Sequence, residues 1–454
     1  MKILIVGGGI GGLSAYHALR KHLSALDISS ITILESHESP VRTLGGGLGL
    51  APNGQRAIAS IAPDALDHIL EHSFPGSQMT FRNSSGSLLG IFSSGRKERY
   101  GYEMVMLPRA VVHEALLSGI PEQDIRWGVK VKGVQESRNQ VSVEYSDGST
   151  EMADLVIGAD GVRSAVKSSL FDGKFDAKYD GLTGVGGFID LEELPNALQE
   201  SFQTNGVTMT FGRSGFFGYS MCSPLPHSQP STIHPFIQWW SIYECPVIPD
   251  SKNLDYDAVK AQLLSRHGSW KSPYDEDGTR IYQTIIQLGC RPPKDPESTT
   301  SRHDTSVMVL PRFITPRLPS WSASSGRIVL MGDAAHTMPP DVGQGVSCAA
   351  EDAVVYALLL KHYLASSPDQ ALVLTAKAYE DIRKPHIHHI LDVAKRNGDA
   401  KKEKGWLGEV IRDFAMKIVC KLPESLNDAV FTYDPEAEVT AYLQPKPRSR
   451  LWPL

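Results

Sequence analysis

Three glycines, Gly7, Gly9 and Gly12, come directly after the apolar run Lys2-Ile-Leu-Ile-Val6. At this spacing a chain can turn tightly, bring its backbone against a pyrophosphate and pack a helix closely on a strand. A helix opening there aims unpaired N–H groups and the positive end of its dipole at phosphate oxygens. Glu35 lies 23 residues beyond Gly12, where a second strand would end, so its carboxylate can accept hydrogen bonds from ribose hydroxyls. A glycine-rich turn without a ligand is the plain alternative, but the strand before, the helix after and the acid at this distance together point to a dinucleotide.

The elements needed to hold these residues follow from the pattern. Residues 2–6 form a buried parallel strand, about 11–23 a helix and 31–35 a second strand, the opening of a Rossmann-type unit. Residues 39–54, SPVRTLGGGLGLAPNG, form a glycine-rich loop, and 107–118 a helix beginning near Arg109. Val141–Tyr145 and the stretch around Glu151 make a hairpin turning at Asp147-Gly148. A further strand at 155–157 ends in Gly158-Ala159-Asp160-Gly161. After about residue 180 aromatic residues and threonine alternate in short runs, the texture of an antiparallel sheet. The α/β texture returns at Arg327–Met331, followed by Gly332-Asp333 and a helix from Gly345 to about Leu364. The tail from 371 is mainly helical up to Pro423 and irregular beyond it. Within it Trp406, Val410, Phe414 and Ile418 recur at helical spacing, which predicts core packing between domains rather than contact with a membrane surface.

The expected fold is therefore α/β: a Rossmann-like dinucleotide-binding domain interrupted by an α+β substrate domain with an antiparallel sheet, plus C-terminal helices. The domains read as 1–180 with 305–370, then 181–304, then 371–454, with 70–105 a candidate contribution to the substrate domain.

Composition narrows the class. The 454 residues are 41% hydrophobic and 21% charged, and the net charge of -6 offers no basic stripe for nucleic acid. Five scattered cysteines have no metal-ligand spacing, so no metal is expected and a reducing compartment is. No signal peptide and no run long enough to span a bilayer is read, so the expected location is cytoplasmic.

The segment from Arg327 through Gly332-Asp333-Ala334-Ala335-His336, Pro339-Pro340 and Gly343-Gln344-Gly345 resembles the Gly-Asp segment of the group A FAD-dependent monooxygenases, the p-hydroxybenzoate hydroxylase family. Residues 154–167, DLVIGADGVRSAVK, are similar to that family's Asp-Gly motif, with Lys167 where arginine is usual. The resemblance covers about 1–170 and 305–365, and Trp321 belongs to it. It implies FAD as cofactor, with Asp333 on the ribityl chain, Arg109 and Asp160 in cofactor handling, Gly47 in the loop bordering the ring, and Gly343, Gly345 and Val346 at the helix start facing the flavin. For Arg109 a solvated helix charge is the alternative, and for the 45–53 loop a plain surface loop. Pro340 matches a proline beside the isoalloxazine ring, while His336 is assigned no catalytic role. The implied reaction is hydroxylation, or secondarily epoxidation, of an aromatic or unsaturated small molecule, with NAD(P)H as transient electron donor, O2 as co-substrate and a C4a-hydroperoxyflavin as oxygen donor. A flavin reductase or oxidase without oxygen transfer and a non-catalytic FAD-binding regulatory protein remain as alternatives. A flavin halogenase is disfavoured because its WxWxIP signature is missing.

Relatives often carry an arginine where Gly186 stands, so no carboxylate-binding role carries over there. Tyr219 is a pocket candidate, with a core tyrosine as the alternative. Phe216, Phe217, Tyr219 and Met221 suggest an aromatic-lined pocket, and of Trp239 and Trp240 at most one can face it. A monomer or homodimer is expected.

Overall fold

The computed structural model describes residues 1–24, 27–40, 45–202, 205–225, 235–251, 253–292 and 307–444. A five-stranded parallel sheet carries the N-terminal signature. Its strands are β1 (Lys2–Val6), β2 (Ser30–Leu34), β8 (Ile125–Arg126), β12 (Leu155–Gly158) and β18 (Ile328–Leu330), in the order β18-β12-β1-β2-β8. The central strands read as continuous apolar runs because both faces are covered; Ile3, Leu4, Ile5, Leu155, Val156 and Ile157 are all fully buried. Helix α1 (Ile10–His22) leaves β1 and packs along α11 (Gly345–Ser366), where Gly11 faces Ala349. Tyr16 replaces the small residue usual on such a helix. It is accommodated because it points toward Asp124, just ahead of β8, and its hydroxyl donates to that carboxylate while Arg20 closes the group.

A seven-stranded sheet forms the second layer system. It comprises β5 (Gln78–Asn83), β6 (Leu88–Ser93), β13 (Lys178–Asp190), β14 (Val207–Gly212), β15 (Gly215–Met221), β16 (Phe236–Glu244) and β17 (Met308–Ile314), in the order β17-β13-β16-β15-β14-β5-β6. Its ladders are antiparallel except for the parallel pair β14 and β5. Met308–Ile314, grouped with the cofactor-binding part in the sequence reading, instead pairs with β13 in this sheet. The Pro-Arg text around it carried no signal of the ladder it would join. Helices α8 (Tyr256–His267) and α9 (Ile281–Gly289) cover one face of the sheet.

Two small sheets complete the strands: β3 (Gly47–Leu50), β7 (Val105–Pro108) and β4 (Phe74–Pro75), and the meander β9 (Val131–Ser137), β10 (Gln140–Tyr145) and β11 (Thr150–Ala153). The meander contains the expected hairpin, with Gly148 at positive φ. The segment 39–54 differs from expectation. Residues 41–44 lie outside the described residues, but Gly47–Leu50 pairs with β7 as a strand, and Pro52 starts α2 (Pro52–Ile61). Alternate glycines hide a strand from any pattern-based reading, whereas a neighbouring strand can still pair with their backbone.

The other helices are α3 (Pro63–Glu71), α4 (Lys97–Tyr100), α5 (Arg109–Ser118), α6 (Ala165–Phe171), α7 (Asn196–Ser201), α10 (Asp333–His336), α12 (Ala371–Ala400), α13 (Trp406–Val419), α14 (Asp428–Phe431) and α15 (Pro435–Leu443). The tail is thus helical beyond Pro423 as well. Pro435 stands at a helix start, where its missing N–H costs nothing, and Asp434 caps that start. α13 overturns a second expectation: its apolar stripe is not core. Trp406, Val410, Phe414 and Ile418 face outward, and Arg412 is the residue it buries.

Candidate active site

The glycine turn after β1 is shaped by close backbone approach. Gly7 has φ +105, and a side chain there would press on the Ala159 carbonyl, 2.5 Å from an added Cβ. Gly12 sits directly over the Gly7 carbonyl oxygen, with no room for any side chain. α1 opens at Gly9 with no side-chain cap and no acid in its first turn, so its leading N–H groups are free to meet an anion. Glu35 ends β2 and folds back over the turn. Its Oε2 accepts from the Gly8 N–H at 2.7 Å, and its Oε1 accepts from the His37 N–H at 2.9 Å. Burial works to raise its pKa, but the bonds from His37 and Gly8 outweigh that and hold it below the usual carboxylate value.

Around this turn the fold gathers several distant residues. Arg109 begins α5; its backbone N–H donates to the Gly46 carbonyl at 2.9 Å, and its exposed guanidinium comes close to Gly9. Asp333 begins the short α10 after Gly332, which adopts φ +57. Its carboxyl opens into the same cleft, although protein atoms crowd it enough that loss of water raises its pKa, against the pull of His336, Arg109 and Lys167. Gly343 closes a turn at φ +61 beside Gly49, and Gly345 starts α11, also without a side-chain cap or a first-turn acid. An added Cβ at Gly46 or Gly345 would meet nothing within 4 Å, so both border open space. Val346, half-buried, follows in the same turn, and Pro340 is exposed beside it. Gly47 contacts the side-chain oxygen of Gln238, which reaches across from β16.

Asp160 belongs to the same region, but its carboxylate is occupied. It accepts from Ser164 Oγ at 2.5 Å and from the N–H groups of Ala165 and Val166 at 2.7 and 3.2 Å, anchoring the start of α6. Burial raises its pKa against those bonds. Lys167 is buried, with Nζ donating to the Val162 carbonyl at 3.2 Å, and desolvation lowers its pKa.

Behind α11 lies an ionic cluster that no motif announced. Arg383 of α12 donates to Asp352 Oδ1 at 2.8 Å and to Glu351 Oε2 at 2.7 Å, all three fully buried. Asp352 Oδ2 also accepts from the Gly332 N–H at 3.0 Å and lies 2.6 Å from His336 Nε2. Burial favours the neutral acid, but His336 and Arg383 outweigh it and bring Asp352 down to about 2. Asn53 joins Glu351 to Gln344 at 2.6 and 2.8 Å. The cluster thus fixes both the Gly332-Asp333 turn and the start of α11, and His336 serves as one of its struts. A second group ties the Pro340 turn to the antiparallel sheet: Asp341 meets Arg312 of β17 at 2.9 Å and Lys401 at 2.8 Å. Charged residues this far apart in sequence give no spacing signal; only a buried Glu351-Asp352 pair inside an apolar helix hints that a cation must come to meet it.

The face of the large sheet that looks toward β3 carries Phe188, Ser220, Phe236, Gln238 and Trp240. Gln238 Nε2 donates to Ser220 Oγ at 2.9 Å. The half-buried indole of Trp240 lies over Gly218, where an added Cβ would meet the ring at 2.5 Å. Gly186, on β13 opposite Trp240, presents no side chain to this face. Tyr219 is not part of it. Strand alternation turns Phe217, Tyr219, Met221 and Trp239 to the opposite face, where Trp239 stacks on Phe217 and Tyr219 lies against Phe202 and Tyr282. Burial pushes the Tyr219 hydroxyl up to about 12. The expected aromatic pocket therefore splits: Phe216 and Trp240 share one side, and Phe217, Tyr219 and Met221 belong to the core. Among the described residues His68 and Glu71 of α3 and His72 just after it are close enough to hold an ion, but none of them is among the residues described above.

The donor set suits a flavin dinucleotide. Two uncapped helix starts, a carboxylate just beyond each of two strand ends and a guanidinium with no bonding partner among the described residues lie around the glycine turn and the Gly332-Asp333 turn. Buried polar atoms at the α11 start, Gln344 Nε2 and Ser347 Oγ, have no hydrogen-bond partner among the described residues. Comparison with known proteins agrees. Residues 320–394 match the FAD binding domain family and residues 5–43 the NAD(P)-binding Rossmann-like domain family. The chain is 27% identical over 361 residues to the aurachin C monooxygenase/isomerase of Stigmatella aurantiaca, covering 79% of this chain and 80% of that one. It is 26% identical over 395 residues to an FAD-dependent urate hydroxylase of Klebsiella pneumoniae, covering 83% and 88%. The structure of Klebsiella pneumoniae HpxO complexed with FAD and uric acid superposes with a TM-score of 0.72 at 21% identity over 97% of both chains, a likeness of fold.

Proposed function

We propose that the chain is a group A FAD-dependent monooxygenase, an oxidoreductase that uses FAD, NAD(P)H and O2 to oxygenate an aromatic or unsaturated small molecule, and that its two large sheets divide the work. The parallel-sheet unit holds FAD, and the β3-facing side of the antiparallel sheet holds the substrate. FAD supplies the redox chemistry: reduced by NAD(P)H, it activates O2 for transfer of one oxygen atom. The protein's part is placement and exclusion of water.

In this reading the N–H groups at Gly9 and after it take the pyrophosphate, with Arg109 beside them, and Glu35 takes the ribose. Asp333 orients the ribityl chain, and the start of α11 at Gly345 and Val346 lends its dipole to negative charge on the ring. Gly47 and Gly343 let backbone approach closely. Asp160 acts indirectly, by fixing α6. Pro340 borders the ring and touches the substrate side. Trp240 offers a flat apolar surface to a planar substrate, while Gln238 and Ser220 offer hydrogen bonds to its polar edge. The observations that support the reading are the approach of the Arg109 guanidinium to Gly9, its pull on Asp333, and the contact of Gly47 with Gln238 on that wall. A cytoplasmic location and a monomer or homodimer complete the proposal; among the described residues no helix is long and apolar enough to cross a membrane.

Two expected results test it. Asp333→Ala purifies with flavin content reduced about tenfold or more, reflecting loss of a hydrogen bond donated to a charged group; flavin absorbance equal to that of the parent would remove Asp333 from the site. Trp240→Ala keeps its flavin but raises KM for the substrate about tenfold, the value of a large apolar contact. The substrate comes from a screen of planar aromatic and heteroaromatic compounds for stimulated NAD(P)H oxidation with one oxygen atom gained by mass. If every compound yields only hydrogen peroxide, the oxygenase reading loses to the oxidase one.

A further inference from the structure

α13 is amphipathic, but it is docked the wrong way round for a core helix. Its polar side faces the protein. Arg412 is buried and donates to the Gly212 carbonyl at 3.0 Å; Glu409 accepts from Arg213 at 2.6 Å, and Asp413 accepts from Asn83 at 3.0 Å. Met416 and Cys420 add apolar contact with the sheet, where Cys420 lies against Gly90 of β6. The opposite side is apolar and open to solvent. Trp406 is 65% exposed, Ile411 60% and Phe414 67%. Every exposed residue in 405–422 is glycine, apolar or lysine. The two lysines, Lys417 and Lys421, lie at the C-terminal end of this ridge, and neither has an ion-pair partner among the described residues. Leu422 and Leu426 extend the ridge into the following turn.

We propose that this ridge docks the protein on an anionic lipid surface, lying in the interface rather than crossing it. Two features select lipid over a protein partner. The charge on the outward side is exclusively positive, which complements acidic headgroups. A tryptophan and a phenylalanine project beside lysines whose stems can reach back to the headgroup level, the arrangement suited to burial of one helix face by about 5–10 Å in a bilayer surface. The polar contacts to Gly212, Arg213 and Asn83 hold the ridge outward, so no apolar cost is relieved by folding it back.

The position also bears on the proposed substrate wall. α13 packs over the cluster that includes Phe211, Phe216 and Ile242, and Trp240 packs against the same cluster. Membrane and substrate wall therefore meet one side of the sheet.

The experiment uses the full-length flavin-loaded protein and sedimentation with vesicles of phosphatidylcholine alone or mixed with phosphatidylserine. The expected result is binding to the mixed vesicles that weakens with added salt. Lys417→Glu with Lys421→Glu reduces that binding about tenfold or more, and Trp406→Ser with Phe414→Ser abolishes it, with flavin content and unfolding midpoint unchanged in both. Absence of binding to the mixed vesicles at any lipid concentration overturns the proposal. So does a concentration-dependent dimer that Phe414→Ser dissolves, because the ridge would then belong to a second copy. Neither outcome touches the oxygenation reading, which is read by substrate-dependent NAD(P)H oxidation.

Discussion

Replacing Arg383 by methionine is expected to destabilise the protein by about 3–5 kcal/mol, because Glu351 and Asp352 would be left buried without their guanidinium. Methionine fills much of the volume, so the loss reports charge rather than a cavity. The pH dependence separates the two. The folded pKa of Asp352, about 2, lies below its ordinary 3.8. Its contribution is therefore complete above 3.8 and is lost as pH falls through about 2. In the variant burial acts without the opposing cation, so both carboxyls take up protons more readily. The deficit should be largest near neutral pH and shrink on acidification. Urea midpoints measured from neutral to acid pH check this; a deficit of equal size throughout would mean that packing, not charge, is what Arg383 supplies. Because Asp352 also holds the Gly332 N–H, flavin retention should fall along with stability.

Gly12→Val is expected to abolish the flavin-loaded protein. The added side chain would fall on the Gly7 carbonyl oxygen and press on Ile5 Cγ2 at 3.2 Å, and both neighbours are held, one by the turn and one by the sheet. Overpacking in a well-packed core commonly costs about 1–3 kcal/mol, and here the strain falls on the backbone proposed to approach the pyrophosphate. The check is flavin absorbance per protein with the thermal midpoint. Gly405→Ala, where an added Cβ meets nothing within 4 Å, serves as the comparison and should match the parent. A Gly12→Val protein that retains full flavin would show that the turn opens without loss and is not the phosphate cradle.

The cofactor half was legible because its chemistry is local. Gly7, Gly9, Gly12 and Glu35 sit in a turn between two short strands that a few residues encode, and Gly332-Asp333 through Gly345 place a second glycine-rich turn at the start of another helix. The substrate half was not, because a strand shows its apolar residues without saying which face receives the cofactor. Phe216 and Phe217 look equivalent in sequence, yet one lies beside Trp240 and the other stacks on Trp239 in the core. Glycine concealed β3, whose register is set by β7.

Sequence alone determined the glycine turn, the two strands beside it and the second glycine-rich acidic segment, since each depends on backbone conformation and spacing within a few dozen residues. Only the tertiary structure decided that Arg383 meets Glu351 and Asp352, that Asp341 bridges Arg312 and Lys401, and that Gln238 reaches Gly47. It also decided that α13 turns its apolar face outward. Helical periodicity fixes which residues share a face, but which face is buried depends on what the neighbouring sheet offers, and here it offers the Gly212 carbonyl, Arg213 and Asn83.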